Sequence, residues 1–190
     1  MEIRSNNFHV YLSSLGIEDA DAIAKKANSY QVAFNIAEWG SFPHPYNKPD
    51  ALAFIEFATK ANMEGREVHL GIHLVETNEL IGIVGLKNIN VKNKKAEVGF
   101  WIGQDFWKKG YGTESVSMIV EYGFSKLNLH KMEAMVFTFN EASVRILEKL
   151  GFMREGLLRD HVFHKDDFAD DLLLGLLKND YKSKISISVK

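Results

Sequence analysis

The chain has 190 residues, of which 46% are hydrophobic and 25% charged, a balance that suits a single globular core and excludes a largely disordered protein. Its formal net charge of −2 provides no global basic field for holding a nucleic acid by phosphate neutralisation. The absence of cysteine excludes a disulfide framework, a thiolate nucleophile and a zinc knuckle. Met1 to Asn7 is mostly polar, and no apolar run approaches the ~18 residues needed to span a bilayer. The expectation is one domain over residues 1–190, cytoplasmic, with neither membrane nor nucleic acid as partner.

Phe8, Val10 and Leu12 alternate with polar neighbours and predict a first strand. Ile17 to Tyr30 carries acids early and apolar residues at helical spacing, so a helix follows. Trp39 to Tyr46 is an aromatic loop whose two prolines exclude regular helix and central strand. Ala51, Phe54, Ile55, Ala58 and Ala61 share one helical face, placing a second helix from about Pro49-Asp50 to Gly65. Val68 to Glu76 and Leu80 to Asn90 read as a hairpin turning at Thr77-Asn78-Glu79, with a further strand over Ala96 to Ile102. Thr113 to Leu127 is an amphipathic helix and Lys131 to Phe139 a central strand. Glu141 to Leu150 is a helix closed by Gly151, and Phe152 to Phe163 and Phe168 to Leu177 are the last strands. The sum is a mixed α/β sheet, neither all parallel nor all antiparallel.

The most informative stretch is Lys108-Lys109-Gly110-Tyr111-Gly112-Thr113-Glu114-Ser115, between the strand at Ala96–Ile102 and the helix opening at Thr113. Glycines at 110 and 112 allow positive φ and converging N–H groups, the helix start adds unpaired donors and its dipole, and Thr113 can act as cap. A pyrophosphate suits such a cradle, with Lys108 and Lys109 adding charge at the rim. A tight turn with two solvated lysines is the alternative. No lysine follows Gly112, so this is not a Walker loop, and no acidic residue ends the next strand as a dinucleotide fingerprint requires.

Several segments in this order carry a resemblance: Ala96-Glu97-Val98-Gly99-Phe100-Trp101-Ile102; Phe106-Trp107-Lys108-Lys109-Gly110-Tyr111-Gly112-Thr113-Glu114; Asn140-Glu141-Ala142-Ser143; Glu148-Lys149-Leu150-Gly151-Phe152; and Pro45-Tyr46 before the second helix. Together they resemble the GNAT superfamily of acetyl-coenzyme A-dependent N-acetyltransferases, and within it the ribosomal-protein N-terminal acetyltransferases. The resemblance implies a seven-stranded mixed sheet with about four helices, splayed between the fourth and fifth strands. It implies acetyl-coenzyme A as co-substrate, with Phe100, Trp101 and Ile102 along the pantetheine arm. Lys108, Lys109, Gly110, Tyr111, Gly112, Thr113 and Asn140 complete the cofactor-binding set. Relatives often dimerise, which makes a homodimer an expectation that the sequence itself leaves open.

Acetyl transfer to an amine requires an amine lone pair, a polarised carbonyl and a proton for the departing thiolate. Many family members use a tyrosine for that proton where this chain has Leu147; the resemblance implies Ser143 instead, although a first-turn serine behind an Asn140 cap is the plain structural reading. Glu97 is the base expected here, acting through water, with an ion-pair role as its alternative and Asp160 and His161 as substitutes. Phe42, His44 and Tyr46 are expected to wall the acceptor site, with fastening the loop as the alternative; fastening is the preferred role for Trp39. His161, His164, Asp166, Asp167, Asp170 and Asp171 match no metal-binding spacing, and His69 and His73 fall in a strand, so no metal is expected. The acceptor, a protein N-terminal α-amine or a small amine such as a polyamine, amino sugar or antibiotic, stays open. The rival reading is a non-catalytic regulator that binds coenzyme A or a nucleotide.

Overall fold

The computed structural model describes residues 1–36 and 42–190. In chain order the elements are β1 (Glu2–Ser5), β2 (Val10–Ser13), α1 (Ala20–Ala27), α2 (Tyr30–Asn35), α3 (Lys48–Met63), β3 (Val68–Leu74), β4 (Leu80–Asn90), β5 (Lys95–Ile102), α4 (Tyr111–Ser125), β6 (Lys131–Phe137), α5 (Glu141–Lys149), β7 (Met153–His164), β8 (Asp167–Leu177) and β9 (Ile187–Val189). The strands form one mixed sheet in the order β7-β8-β6-β5-β4-β3-β2-β1-β9, with β5 and β6 the single parallel pair among the described residues. Among these residues no helix is long and apolar enough to cross a membrane.

The seven expected strands form, and two short ones raise the sheet to nine. β1 and β9 pair with each other, Ile3 opposite Val189; β1 holds a single apolar residue, and β9 lies in the short alternating run Ile185 to Val189. The expected helix over Ile17–Tyr30 forms as a short 3₁₀ turn and α1, which ends early at Ala27, and α2 follows as a helix the sequence reading does not place. Asn28 leaves the helix there, its Oδ1 accepting the Tyr46 amide at 3.0 Å, and Ser29 is extended with ψ 128°. β6 stops at Phe137 rather than Phe139, because the chain turns through Thr138 and Phe139 into α5.

Two cores sandwich the sheet. On one face Val116, Ile119, Val120 and Phe124 of α4 join Val84 and Leu86 of β4 and Met132 and Ala134 of β6. Each such apolar side chain contributes roughly 1.5–3 kcal/mol on burial, so a charge at Ile119 would unfold this layer. On the other face alanines 20, 27, 51 and 58 let α1 and α3 lie closely over Leu80 and Ile83. Strand β4 feeds both cores, which explains its nearly continuous burial from Leu80 to Leu86.

The sheet is splayed where the resemblance implied. β5 and β6 pair only at Lys95–Lys131, Ala96–Met132 and Glu97–Glu133. Beyond that point β6 stays with β8 and β5 stays with β4 as far as Gly82–Ile102. The β6-facing edge of Val98–Ile102 is therefore released from the sheet. Peptide groups on such an edge need partners.

Candidate active site

Two clefts meet at the splay. The larger, about 650 Å³, lies between the β5 edge, the 103–113 loop and the start of α5; the smaller, about 350 Å³, lies over the sheet beneath α3. Both are lined by Asn35, Ile36, Phe100, Trp101, Asn140 and Ser143, so these six residues form the passage between them.

The larger cleft ends at the N-terminus of α4. Gly110 takes φ 88°, and Lys108 before it φ 61°, so the chain reverses tightly into a helix that opens at Tyr111. Gly110 thus holds the cap position expected for Thr113, which is the third helical residue. The two glycines also differ in purpose. Gly112 is helical, and a β-carbon there would stand 2.8 Å from Ile146 Cδ1, so its lack of a side chain brings α4 close to α5. Trp107 pins the loop, its indole Nε1 donating to Ile102 O at 2.6 Å.

Among the described residues, no protein acceptor takes the amides of residues 108 to 113; the first helical bond runs from Glu114 N to Gly110 O. Unpaired amides at the positive end of a 15-residue helix make an anion site. The first-turn acid does not fill it: Glu114 turns away to His9, accepting from the backbone N at 2.8 Å and lying 2.9 Å from Nδ1. That hydrogen bond holds the exposed His9 imidazole above its ordinary pKa. Lys108, Arg145 and Lys149 line the cleft, whereas Lys109 lies outside the lining, its Nζ 5.3 Å from the Phe106 ring centre. The donor set and the cationic rim fit the diphosphate of coenzyme A, and the freed β5 edge at Phe100–Ile102 offers amide partners to its pantetheine arm.

Asn140 fixes the passage. Its Oδ1 accepts the Ser143 amide at 3.2 Å and its Nδ2 donates to Asn35 O at 3.2 Å, tying the start of α5 to the end of α2. Ser143 stands in the first turn of α5 at the junction of the clefts. Leu147, one turn on, is fully buried.

In the smaller cleft, alternation along the strands selects the floor. Ile83, Gly85 and Lys87 of β4 face it, as do Glu97, Gly99 and Trp101 of β5. Glu97 Oε1 lies 3.5 Å from Lys87 Nζ, and its Oε2 accepts from Asn88 Nδ2 at 3.2 Å, beside a register shift in β4. Phe42 and Tyr46 stack at 4.7 Å and line the wall. His44 lines neither cleft and meets Tyr30 edge-on at 5.9 Å. Trp39 lies outside the described residues. Asp160 and His161 also line neither cleft; His161 Nδ1 lies 2.9 Å from Asp171 Oδ2 in the β7–β8 hairpin. Sequence reasoning passed over Asp50 and His69, both of which line this cleft. His69 follows from strand alternation once its register with Gly85 is known, but no local motif announces it.

Comparisons with known proteins agree with this geometry. Residues 9–153 match the family model described as an acetyltransferase (GNAT) domain. An uncharacterised N-acetyltransferase, p20 of Bacillus licheniformis, is 33% identical over 90% of this chain and 93% of its own length. The putative ribosomal N-acetyltransferase YdaF of Bacillus subtilis is 31% identical over 58% of this chain and 61% of its own. The crystal structure of a Vibrio cholerae spermidine N-acetyltransferase in complex with CoA and spermine is 26% identical and superposes with a TM-score of 0.78 over 91% of this chain and 98% of that one. The chain therefore belongs to the GNAT acetyltransferases and is an N-acyltransferase that uses acetyl-coenzyme A as its co-substrate.

Proposed function

We propose that the enzyme acetylates a primary amine by direct attack within a ternary complex, and that its first acceptor class is the α-amino group of a polypeptide. The observation that carries this reading is the meeting of the two clefts at Ser143 and Asn140, which lets a carrier in one and an amine in the other share a reaction point without an enzyme nucleophile. Acetyl-coenzyme A supplies the thioester. The chain's amides at 108–113 hold the diphosphate, and the Phe100–Ile102 edge aligns the arm. Glu97, through water, accepts the proton that the ammonium must lose; as the C–N bond forms and the C–S bond breaks, the Ser143 hydroxyl gives its proton to the sulfur and recovers one from the attacking nitrogen, which becomes the amide. Phe42 and Tyr46 wall the acceptor cleft.

Two considerations favour an α-amine. Both Glu97 oxygens are already engaged, Oε1 by Lys87 and Oε2 by Asn88, so the carboxylate is not held free to face an acceptor amine. An α-amino group, with a pKa near ~7.7–8.0, is already partly neutral and demands little of it. Similarity to a putative ribosomal N-acetyltransferase supports the same choice. A polyamine is the second reading, favoured by the Asp50 and Glu97 carboxylates in the acceptor cleft and by similarity to a spermidine N-acetyltransferase. Thiol release measured against N-terminal peptides, polyamines, amino sugars and aminoglycosides separates them. The proposal expects the largest kcat/KM for a peptide α-amine, and coenzyme A binding without turnover on any amine would return the protein to a regulatory role.

A further inference from the structure

The floor of the acceptor cleft has a feature that acetyl transfer itself does not use. His69 of β3 pairs in register with Gly85 of β4, and Gly85 with Gly99 of β5. The two glycines leave a trench running across the sheet from His69 towards the splay, overhung at Gly99 by the Lys87 side chain, whose Cε lies 3.2 Å from where a β-carbon would stand. One wall is the apolar pair Ile83 and Trp101; the other is the charged pair Lys87 and Glu97. Two inter-strand steps set the length of the floor at about 10 Å.

His69 is 6% exposed, and Asn62 holds its backbone from both sides, Oδ1 accepting from its N–H at 2.7 Å and Nδ2 donating to its carbonyl at 2.9 Å. Phe54 and Phe57 pack on the ring at 5.5 and 5.6 Å. Nε2 lies 2.6 Å from Glu67 Oε2. An ionised carboxylate only accepts, so Nε2 carries the hydrogen and, in the neutral ring, Nδ1 presents a lone pair. Nδ1 leans over the next strand, only 3.1 Å from where a Gly85 β-carbon would stand, and has no hydrogen-bond partner among the described residues.

We infer that His69, oriented by Glu67, is a specificity-determining residue that accepts a hydrogen bond from a second N–H donor of the acceptor, roughly 6–10 Å along the trench from the reacting nitrogen. This deepens the proposed function and rests on it. Two sources share the chemistry: the far ammonium of a linear diamine, or the amide of the third residue of an extended peptide, roughly 7 Å from its α-nitrogen.

The test is a ratio of kcat/KM values on one protein, for α,ω-diamines of graded length against monoamines of equal length. A second arm uses N-terminal peptides with and without N-methylation of the third amide. The wild type should favour the two-donor member of one arm by about tenfold, the scale of one hydrogen bond lost from a buried acceptor. H69F should reduce that ratio to near one. E67Q should lower the ratio by less, because an amide at 67 can either accept from Nε2–H through its oxygen or donate to Nε2 and move the ring hydrogen to Nδ1. The arm that responds identifies the source. A wild-type ratio near one, or a ratio unchanged in H69F, overturns the inference. Absence of turnover on every amine, with coenzyme A still bound in calorimetry, counts against the acetyl-transfer reading; in that case diamines or peptides must still bind more tightly to wild type than to H69F, and equal binding overturns the role of His69.

Discussion

Replacing Gly110 by alanine should cost far more than the same change at Gly112, although the two residues look equivalent in the sequence. Gly110 has φ 88°, and a β-carbon there would meet nothing within 4 Å, so the whole penalty is conformational. An L-residue in the left-handed region costs about 1–2 kcal/mol. At Gly112 the backbone is helical, where alanine gains up to about 1 kcal/mol of propensity. The Ile146 methyl 2.8 Å away must rotate aside, at about 0.5–1.5 kcal/mol, so the two effects nearly cancel. For a chain of this size G110A should lower Tm by roughly 2–8 °C if the loop keeps its shape. If the loop instead relaxes and turns its amides away, coenzyme A affinity should weaken by up to about tenfold. G112A should stay within about 2 °C of wild type, with Kd within about twofold. Thermal melts and calorimetric titration with coenzyme A read both quantities. Equal damage from the two variants, or G110A indistinguishable from wild type in both assays, would refute the reasoning.

Ser143→Ala should lower kcat by at least tenfold while coenzyme A affinity stays within about twofold, a split that steady-state kinetics and calorimetry resolve. Asn140→Ala removes a helix cap and the tie to Asn35, so chemical denaturation should show a loss of about 1–2 kcal/mol, with kcat falling as Ser143 loses its seat. His164 Nε2 is buried without a partner among the described residues, and burial, aided by Lys165, pushes its pKa below the ordinary 6.5. A histidine depressed in the fold contributes stability that is complete above the unfolded value and is lost as pH falls below it. The difference in stability between wild type and His164→Phe should therefore turn against wild type as pH drops below about 6.5, and a difference independent of pH would count against this.

The strands with strong alternation, and the helices with caps, were legible because local pattern and packing agree in them. Asn47-Lys48-Pro49-Asp50 shows this well: Asp50 Oδ2 accepts the Asn47 amide at 2.7 Å, at the helix start the sequence marked. β1 escaped because Glu2–Ser5 holds a single apolar residue, whereas Ile185-Ser186-Ile187-Ser188-Val189 does alternate and was passed over because its partner strand lies at the other end of the chain. The early end of α1 escaped because a long-range bond from the Tyr46 amide to Asn28 overrides the local helical pattern, and α2 escaped because it spans only six residues. The cradle was readable as strand, glycines and helix start. The separate purposes of Gly110 and Gly112 were not, since one depends on φ and the other on the approach of Ile146. The trench from His69 was hidden for a related reason, because it exists only through the register of three strands.

The reading of this fold as a coenzyme A-dependent enzyme turns on whether the amides of residues 108–113 grip the diphosphate of coenzyme A. Amide-resolved NMR of ¹⁵N-labelled protein titrated with coenzyme A tests it most directly. The largest shifts should fall at Lys108 to Thr113, with smaller ones at Phe100 to Ile102 and Ser143. Saturable binding that leaves those six amides unmoved, and shifts residues elsewhere on the sheet, would contradict it.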